Sequence, residues 1–295
     1  MAEAAPPVRE GALSPRAEAM VKLLADQEAG TRATAAETLG TLGERAAVKP
    51  LIGVLTDEDE RVRGAAAKAL GKIGDPAAAP ALAERVADDQ PDRLSINGVE
   101  VRSKDSALEA LRALGPGEVT RALTRALKSS HFRVREWAAP LVAGQKGAEA
   151  ADALAERVGD DVMDKSYVDD GKALALRGLR ELAPDRVLPS LTRALVSGEF
   201  RVREWAARAL AETKDPKAVP ALVERVADEK SDDLRYVENS KDAALAALRA
   251  LAPEKVGDAL IRATAAKDPQ VRSWATRALA REAEEEAKAR SKKAP

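Results

Sequence analysis

Seven aromatic residues stand in this 295-residue chain, and all of them fall into three columns of one long repeat. Phe132 and Phe200 are 68 residues apart, Trp137, Trp205 and Trp274 are 68 and 69 apart, and Tyr167 and Tyr236 are 69 apart. A single globular core scatters its aromatics, because each ring fills whatever gap the packing leaves. A fixed register means one structural unit used repeatedly, each copy burying its apolar face against the next.

The unit is itself a doublet. One half reads ERVRGAAAKALGKIGDPAAAPALAERVADD from Glu60 and returns from Phe132 and Phe200; a fourth copy, QVRSWATRALARE, begins at Gln270 and stops after its first helix. The other half reads KDSALEALRALGPGEVTRALTRALKSS from Lys104 and returns from Gly171 and Lys241, while an earlier copy from Gly30 follows the first type. Each half reads as two helices. Val202, Trp205, Ala206 and Leu210 recur at helical spacing, a breaker such as Lys214-Asp215-Pro216 follows, and Val219, Leu222 and Val226 recur again. Pro80, Pro189 and Pro220 each lie two residues before the first leucine of a second helix, where a missing N–H leaves nothing unpaired.

These patterns predict an all-α fold in which two-helix units repeat over residues 15–280. Residues 1–14 are expected to form a disordered tail, and 281–295, REAEEEAKARSKKAP, a charged helix that ends in a basic tail.

Charge and composition exclude several functions. The chain carries 48 basic and 49 acidic residues, a balance unlike the strong positive field of a dedicated nucleic-acid binder. It has no cysteine, so no disulfide framework and no thiolate site, and His131 is its one histidine. No apolar run approaches the roughly 18 residues of a membrane span. The opening MAEAAPPVREGALSPR lacks the apolar region of a secretory signal. The expectation is a cytoplasmic protein, a monomer, with no cofactor and no membrane contact.

Asp59 with Val62-Arg63, and Ile73-Gly74-Asp75-Pro76 with Pro80-Ala81-Leu82, resemble HEAT repeats, closest to the bacterial HEAT-like subclass named after phycobilisome lyases. The resemblance covers roughly residues 30 to 280. It implies an α-solenoid of about 14–16 helices in stacked antiparallel pairs over residues 15–280, with second helices lining a concave face, and a non-enzymatic scaffold or adaptor that binds another protein or peptide. It also allows a bilin lyase or isomerase subunit and a nucleic-acid-binding HEAT-like protein. The iron-binding HEAT-like hydroxylases need paired histidines, which are lacking here. Fold-level resemblance says little about function.

Four sets of residues are candidates for specific roles. Arg32, Arg63, Arg135, Arg203 and Arg272 each open a first helix; in the family such an arginine ties its helix to the preceding loop, often through an aspartate. Glu84, Arg125, Glu156, Arg193, Glu224 and Arg262 share one position on six successive second helices with strictly alternating sign, as an ion-pair ladder would require. Arg85, Arg157 and Arg225 follow the glutamates directly and would make the concave groove basic for a partner.

The last set is the linkers. Each doublet carries an acidic linker, with Asp164, Tyr167, Asp232 and Tyr236 as candidate contacts at a partner-binding edge. The acids can equally cap helices, with the tyrosines covering the loop. The Phe and Trp columns are expected in the helix core. No nucleophile–base pair, metal cluster or phosphate loop is present, so no catalytic residue is expected.

Overall fold

The computed structural model describes residues 11–92, 103–162, 170–228 and 237–293. Among the described residues there are sixteen α-helices and no strand. The early ones are α1 (Pro15–Leu23), α2 (Ala29–Leu42), α3 (Val48–Gly53), α4 (Glu60–Ile73), α5 (Ala79–Ala87), α6 (Ser103–Leu114), α7 (Val119–Leu127) and α8 (Phe132–Ala143). They continue with α9 (Ala148–Gly159), α10 (Asp170–Leu182), α11 (Val187–Leu195), α12 (Phe200–Thr213), α13 (Val219–Ala227), α14 (Val237–Leu251), α15 (Val256–Thr264) and α16 (Pro269–Lys293). The contacts divide the chain into two units, Met1–Ala153 and Leu154–Pro295.

In the N-terminal unit α2 packs on α4 and α4 on α6, while α5 packs on α7. First helices thus stack in one layer and second helices in another. Alanine makes the first layer possible. Ala35, Ala36, Ala65, Ala66, Ala67 and Ala69 are buried, and Gly40 meets Ala69 so closely that an added Cβ would lie 2.6 Å from the Ala69 Cα. Leu51, Leu82 and Leu123 on the second helices fill the space between the layers, each 0% exposed. The C-terminal unit repeats the plan, with α12 on α14, and α13 against α11 and α15.

The breakers form the turns that bring the two helices of a pair back on each other. Gly74 ends α4 in the left-handed region at φ 76°, where glycine has no Cβ to clash. Asp75 then caps a 3₁₀ turn, Pro76–Ala78, by accepting from Ala77 N at 3.0 Å. Lys214 holds the position of Gly74 in the copy at α12 and takes φ 52°. Asp215 caps the next turn through Lys217 N at 2.9 Å.

α16 runs unbroken from Pro269 to Lys293, so the helix of the last half-repeat continues through most of the acidic and basic C-terminal segment. Among the described residues no helix is long and apolar enough to cross a membrane.

Candidate functional site

The arginine column is built as ties to main chain. Arg32 Nη1 donates to the carbonyls of Asp26 and Gln27, Arg63 Nη1 to Asp57 and Glu58, and Arg135 Nη1 to Ser129 and Ser130. Arg203 Nη1 reaches Ser197 and Gly198, and Arg272 Nη1 reaches Ala266 and Lys267. Each guanidinium therefore holds the two carbonyls at the end of the preceding loop. Arg32 adds a two-bond pair to Asp57, with Nε and Nη2 each at 2.8 Å. Burial lowers the pKa of Arg63 and of Arg203.

On the second helices, two pairs of the alternating charges meet as expected of a ladder. Arg125 on α7 donates to both Glu84 oxygens on α5, at 2.7 and 2.9 Å. Arg262 on α15 donates to both Glu224 oxygens on α13, at 2.9 and 3.1 Å. These bonds hold Glu84 and Glu224 below the ordinary glutamate pKa. Arg193 on α11 departs from the pattern, and its Nη2 donates to the Ala155 carbonyl at 2.7 Å. Gly159 is the reason: it stands where the other two copies have Ala87 and Ala227, and a Cβ there would lie 2.2 Å from the Arg193 Nε.

Arg85, Arg157 and Arg225 do not face a groove. Each is 2% exposed. They lie on the helix flank turned toward the next first helix and bind the acidic linker where it leaves. Arg85 Nη1 donates to both Asp88 oxygens, at 2.6 and 2.7 Å, and its Nη2 reaches Asp92 Oδ1 at 2.9 Å and Ser103 Oγ at 2.6 Å. Ser103 in turn donates to Asp92 Oδ1, and Lys104 N to Asp92 Oδ2. Arg157 Nη1 holds Asp160 at 2.8 Å and the Val162 carbonyl at 3.0 Å. Arg225 holds Asp228 at 3.2 Å and Ser240 Oγ at 2.5 Å, and its burial lowers its pKa to about 10. A guanidinium at the end of an apolar helix face finds carboxylates only in the linker, so it turns inward.

A lysine that sequence reasoning missed completes each linker base. Lys104, Lys172 and Lys241 are 2%, 0% and 0% exposed. Lys104 Nζ donates to the carbonyls of Arg85, Val86 and Asp88 and to Asp88 Oδ1. Lys172 does the same with Arg157, Val158 and Asp160. These acceptors are the free carbonyls at a helix C-terminus, where a cation is favoured. Each ammonium also faces a tryptophan of the following first helix, 5.7, 5.6 and 5.5 Å from the rings of Trp137, Trp205 and Trp274. The signal was in the sequence: the lysines are spaced by 68 and 69, like the tryptophans.

The aromatic columns separate further. Trp274 is 1% exposed, whereas Trp137 and Trp205 are half-buried. The Trp137 and Trp274 indole N–H groups donate to Asp105 and Asp242 at 2.8 and 2.9 Å; the equivalent residue near Trp205 is Ala173. Phe132 and Phe200 are not core residues. They are half-buried first residues of α8 and α12, with the guanidinium of Arg133 or Arg201 over the ring. His131 stacks on Phe132 and caps α8, its Nδ1 accepting from Arg133 N as Glu199 accepts from Arg201 N. Tyr167, Tyr236, Asp164 and Asp232 lie outside the described residues.

Among the described residues no group of three His, Cys, Asp or Glu side chains is placed to hold a metal ion. A hollow of about 440 Å³ in the N-terminal unit is lined by charged and amide side chains, among them Arg32, Glu58, Arg63 and Gln90.

Comparison with known proteins agrees with the repeat geometry. A family model described as HEAT repeats matches residues 17–101 and 162–240, more than half of the chain. Among solved structures, the chain is similar to the CpcE–CpcF complex of phycocyanin lyase from Nostoc sp. PCC7120. The identity is 22% over 83% of this chain and 80% of that one, with a TM-score of 0.33. It is similar to human deoxyhypusine hydroxylase, with 21% identity over 89% and 94% and a TM-score of 0.33. An engineered protein is 20% identical over 89% and 87%, with a TM-score of 0.30. No curated protein matches. The matched model, the two-layer stacking and the arginine ties together make this chain a member of the HEAT-repeat family.

Proposed function

We propose that the chain is a non-enzymatic scaffold that docks another protein or peptide along its acidic linker edge. One observation carries this reading: each linker leaves from a buried arginine bonded to the first linker aspartate, with a buried lysine on the main-chain carbonyl of that aspartate. Fixing a loop costs conformational entropy. Loops rooted in this way are worth that cost if they must be presented to a partner. Repeated insertions on one side of a repeat array often form its binding face.

Tyr167 and Tyr236, with Asp164 and Asp232, are the proposed contacts. Tyrosine supplies large contact area with few rotatable bonds, and the aspartates select a basic partner. With Arg85, Arg157 and Arg225 buried, the second-helix face keeps mainly paired charges, and exposed ion pairs contribute little to binding.

Site-specific photo-crosslinking tests the edge against the face. A photoreactive residue is placed at Tyr167 or Tyr236 in one set of variants, and at Arg121 or Arg193 in another. The adducts are identified by mass spectrometry. Expected is one partner captured from the linker positions, and captured less when Asp164 and Asp232 are changed to asparagine. Adducts confined to Arg121 and Arg193 would move the site to the second helices.

A further inference from the structure

The first-helix layer carries a groove in each unit, and only one of the two has its charges matched. In the C-terminal unit the groove between α12 and α14 encloses about 460 Å³ and is lined by alanines with Glu204, Arg208 and Asp242. Each of these charges has a partner: Arg208 is bonded to Glu204, and Asp242 accepts the Trp274 N–H. In the N-terminal unit the groove between α2 and α4 encloses about 480 Å³ over a floor of Ala65 and Ala69, which are 4% and 1% exposed. Its charges are Lys68 and Lys72 on α4, Glu37 on α2 and Arg16 on α1. All four side chains are exposed, and none makes an ion pair with another described residue.

The two walls of this groove offer different chemistry. Lys68 and Lys72 stand four residues apart on one helix, where like charges repel and weaken the helix slightly. An anion laid against both removes that repulsion. On the opposite wall three threonine hydroxyls point their hydrogens at carbonyls of α2 itself. Thr34 donates to Gly30 at 2.9 Å, Thr38 to Thr34 at 2.8 Å and Thr41 to Glu37 at 3.1 Å. Each oxygen keeps lone pairs, so this wall accepts hydrogen bonds and donates none.

An extended acidic peptide meets both demands. Alternate side chains of an extended chain point the same way and lie about 7 Å apart. Lys68 and Lys72 lie about 6 Å apart along their helix. Carboxylates two residues apart therefore reach both ammonium groups, and main-chain N–H groups serve the threonine oxygens. A bare phosphate brings the charge without the donors.

We propose that the groove between α2 and α4 docks an extended acidic segment of another protein, with alternate carboxylates on Lys68 and Lys72 and main-chain N–H groups on the threonines of α2. Arg16 stands at the Thr41 end, because Ser14 N at the start of α1 donates to Glu44 just past α2, and it takes a further acid. None of these residues belongs to the linker edge, so the two docking surfaces are tested independently.

The test titrates the full chain into rhodamine-labelled peptide GEAEAEG at low salt and reads fluorescence anisotropy. Lys68→Glu with Lys72→Glu should weaken binding by roughly tenfold or more, and the glutamine peptide GQAQAQG should bind as poorly. Thr34→Val with Thr38→Val keeps the shape and removes two acceptors, and should weaken binding by up to about tenfold while its salt dependence stays. Arg208→Glu in the matched groove, and Asp164→Asn with Asp232→Asn on the linker edge, should change little. No saturable binding, or equal binding by the double lysine variant or of the glutamine peptide, would overturn the proposal. So would full binding by the threonine variant, which would leave only a patch of charge. An oligonucleotide or phosphatidylserine vesicles held by Lys68 and Lys72 in preference to the peptide would give the groove to phosphate instead. Tighter peptide binding after Glu3→Gln with Glu10→Gln would give it to the chain's own first residues.

Discussion

Arg85 and Arg125 sit on consecutive second helices and both hold carboxylates, yet Arg85 is 2% exposed while the Arg125 side chain is 51% exposed. Arg85 belongs to a linker base, a closed cluster with Asp88, Asp92, Ser103 and Lys104. Arg125 belongs to a rung, a pair lying across the outside of two helices. Water sets the difference. Around Arg85 water is shut out and both terminal nitrogens bond Asp88, Asp92 and Ser103, so the cluster dictates where the linker starts and where α6 begins. Around Arg125 solvent can replace Glu84 with little loss. Buried charge here specifies geometry, and exposed charge only adjusts it.

The sharpest way to break the comparison is to cut one buried cluster. Arg85→Ala leaves Asp88 and Asp92 without their guanidinium while Lys104 stays in place. Removing one partner of a buried ion cluster typically costs about 3–5 kcal/mol, and denaturant unfolding should read a loss of that size. A loss under about 1 kcal/mol would put Arg85 in the class of the rungs.

The tryptophans sharpen the comparison within the buried set. Trp274→Ala removes a fully buried ring and the partner of Asp242, and should cost ~3–5 kcal/mol. Trp205→Ala should cost clearly less, because that ring is half-buried and Ala173 offers its N–H no carboxylate. Thermal unfolding of the two variants side by side checks the order; equal losses would mean that the lysine contact, common to both, dominates.

How much of this was legible follows the same division. Helix pairs, breakers and capping aspartates could be read because each rests on local chemistry: Asp75 bonds a residue two positions away, and Pro76 starts a turn by its own ring. The Glu84–Arg125 and Glu224–Arg262 rungs could be read because one position recurs on every second helix. Arg193 could not, because its course depends on the missing Cβ of Gly159, a residue of a different helix. The inward turn of Arg85, Arg157 and Arg225 was missed for a related reason. Their position beside an exposed glutamate suggests solvent, and only the return of the chain at Ser103, Lys172 and Ser240 shows that they are covered. The lysines stood in register with the tryptophans, but lysine is so rarely buried that the register went unread.

The smallest effect closes the comparison from the exposed side. Arg125→Ala should lower stability by no more than ~0.2–1 kcal/mol, because Glu84 is left in water and the lost pair was already screened. The difference from the unaltered chain should shrink as salt is added, whereas the Arg85→Ala loss should change little. Acid separates the two regions again. The Arg125 bond holds Glu84 below its ordinary 4.5, so the rung stabilises the fold above that value and loses its contribution as pH falls below it toward the lowered value. At the Lys241 base the sign is the same but the window is higher, with stability gained as pH rises above about 7. Thermal scans of the unaltered chain, Arg125→Ala and Lys241→Met should therefore separate at opposite ends of the pH range. An Arg125→Ala difference that persists in high salt would show that the rung is shielded from solvent like the linker bases.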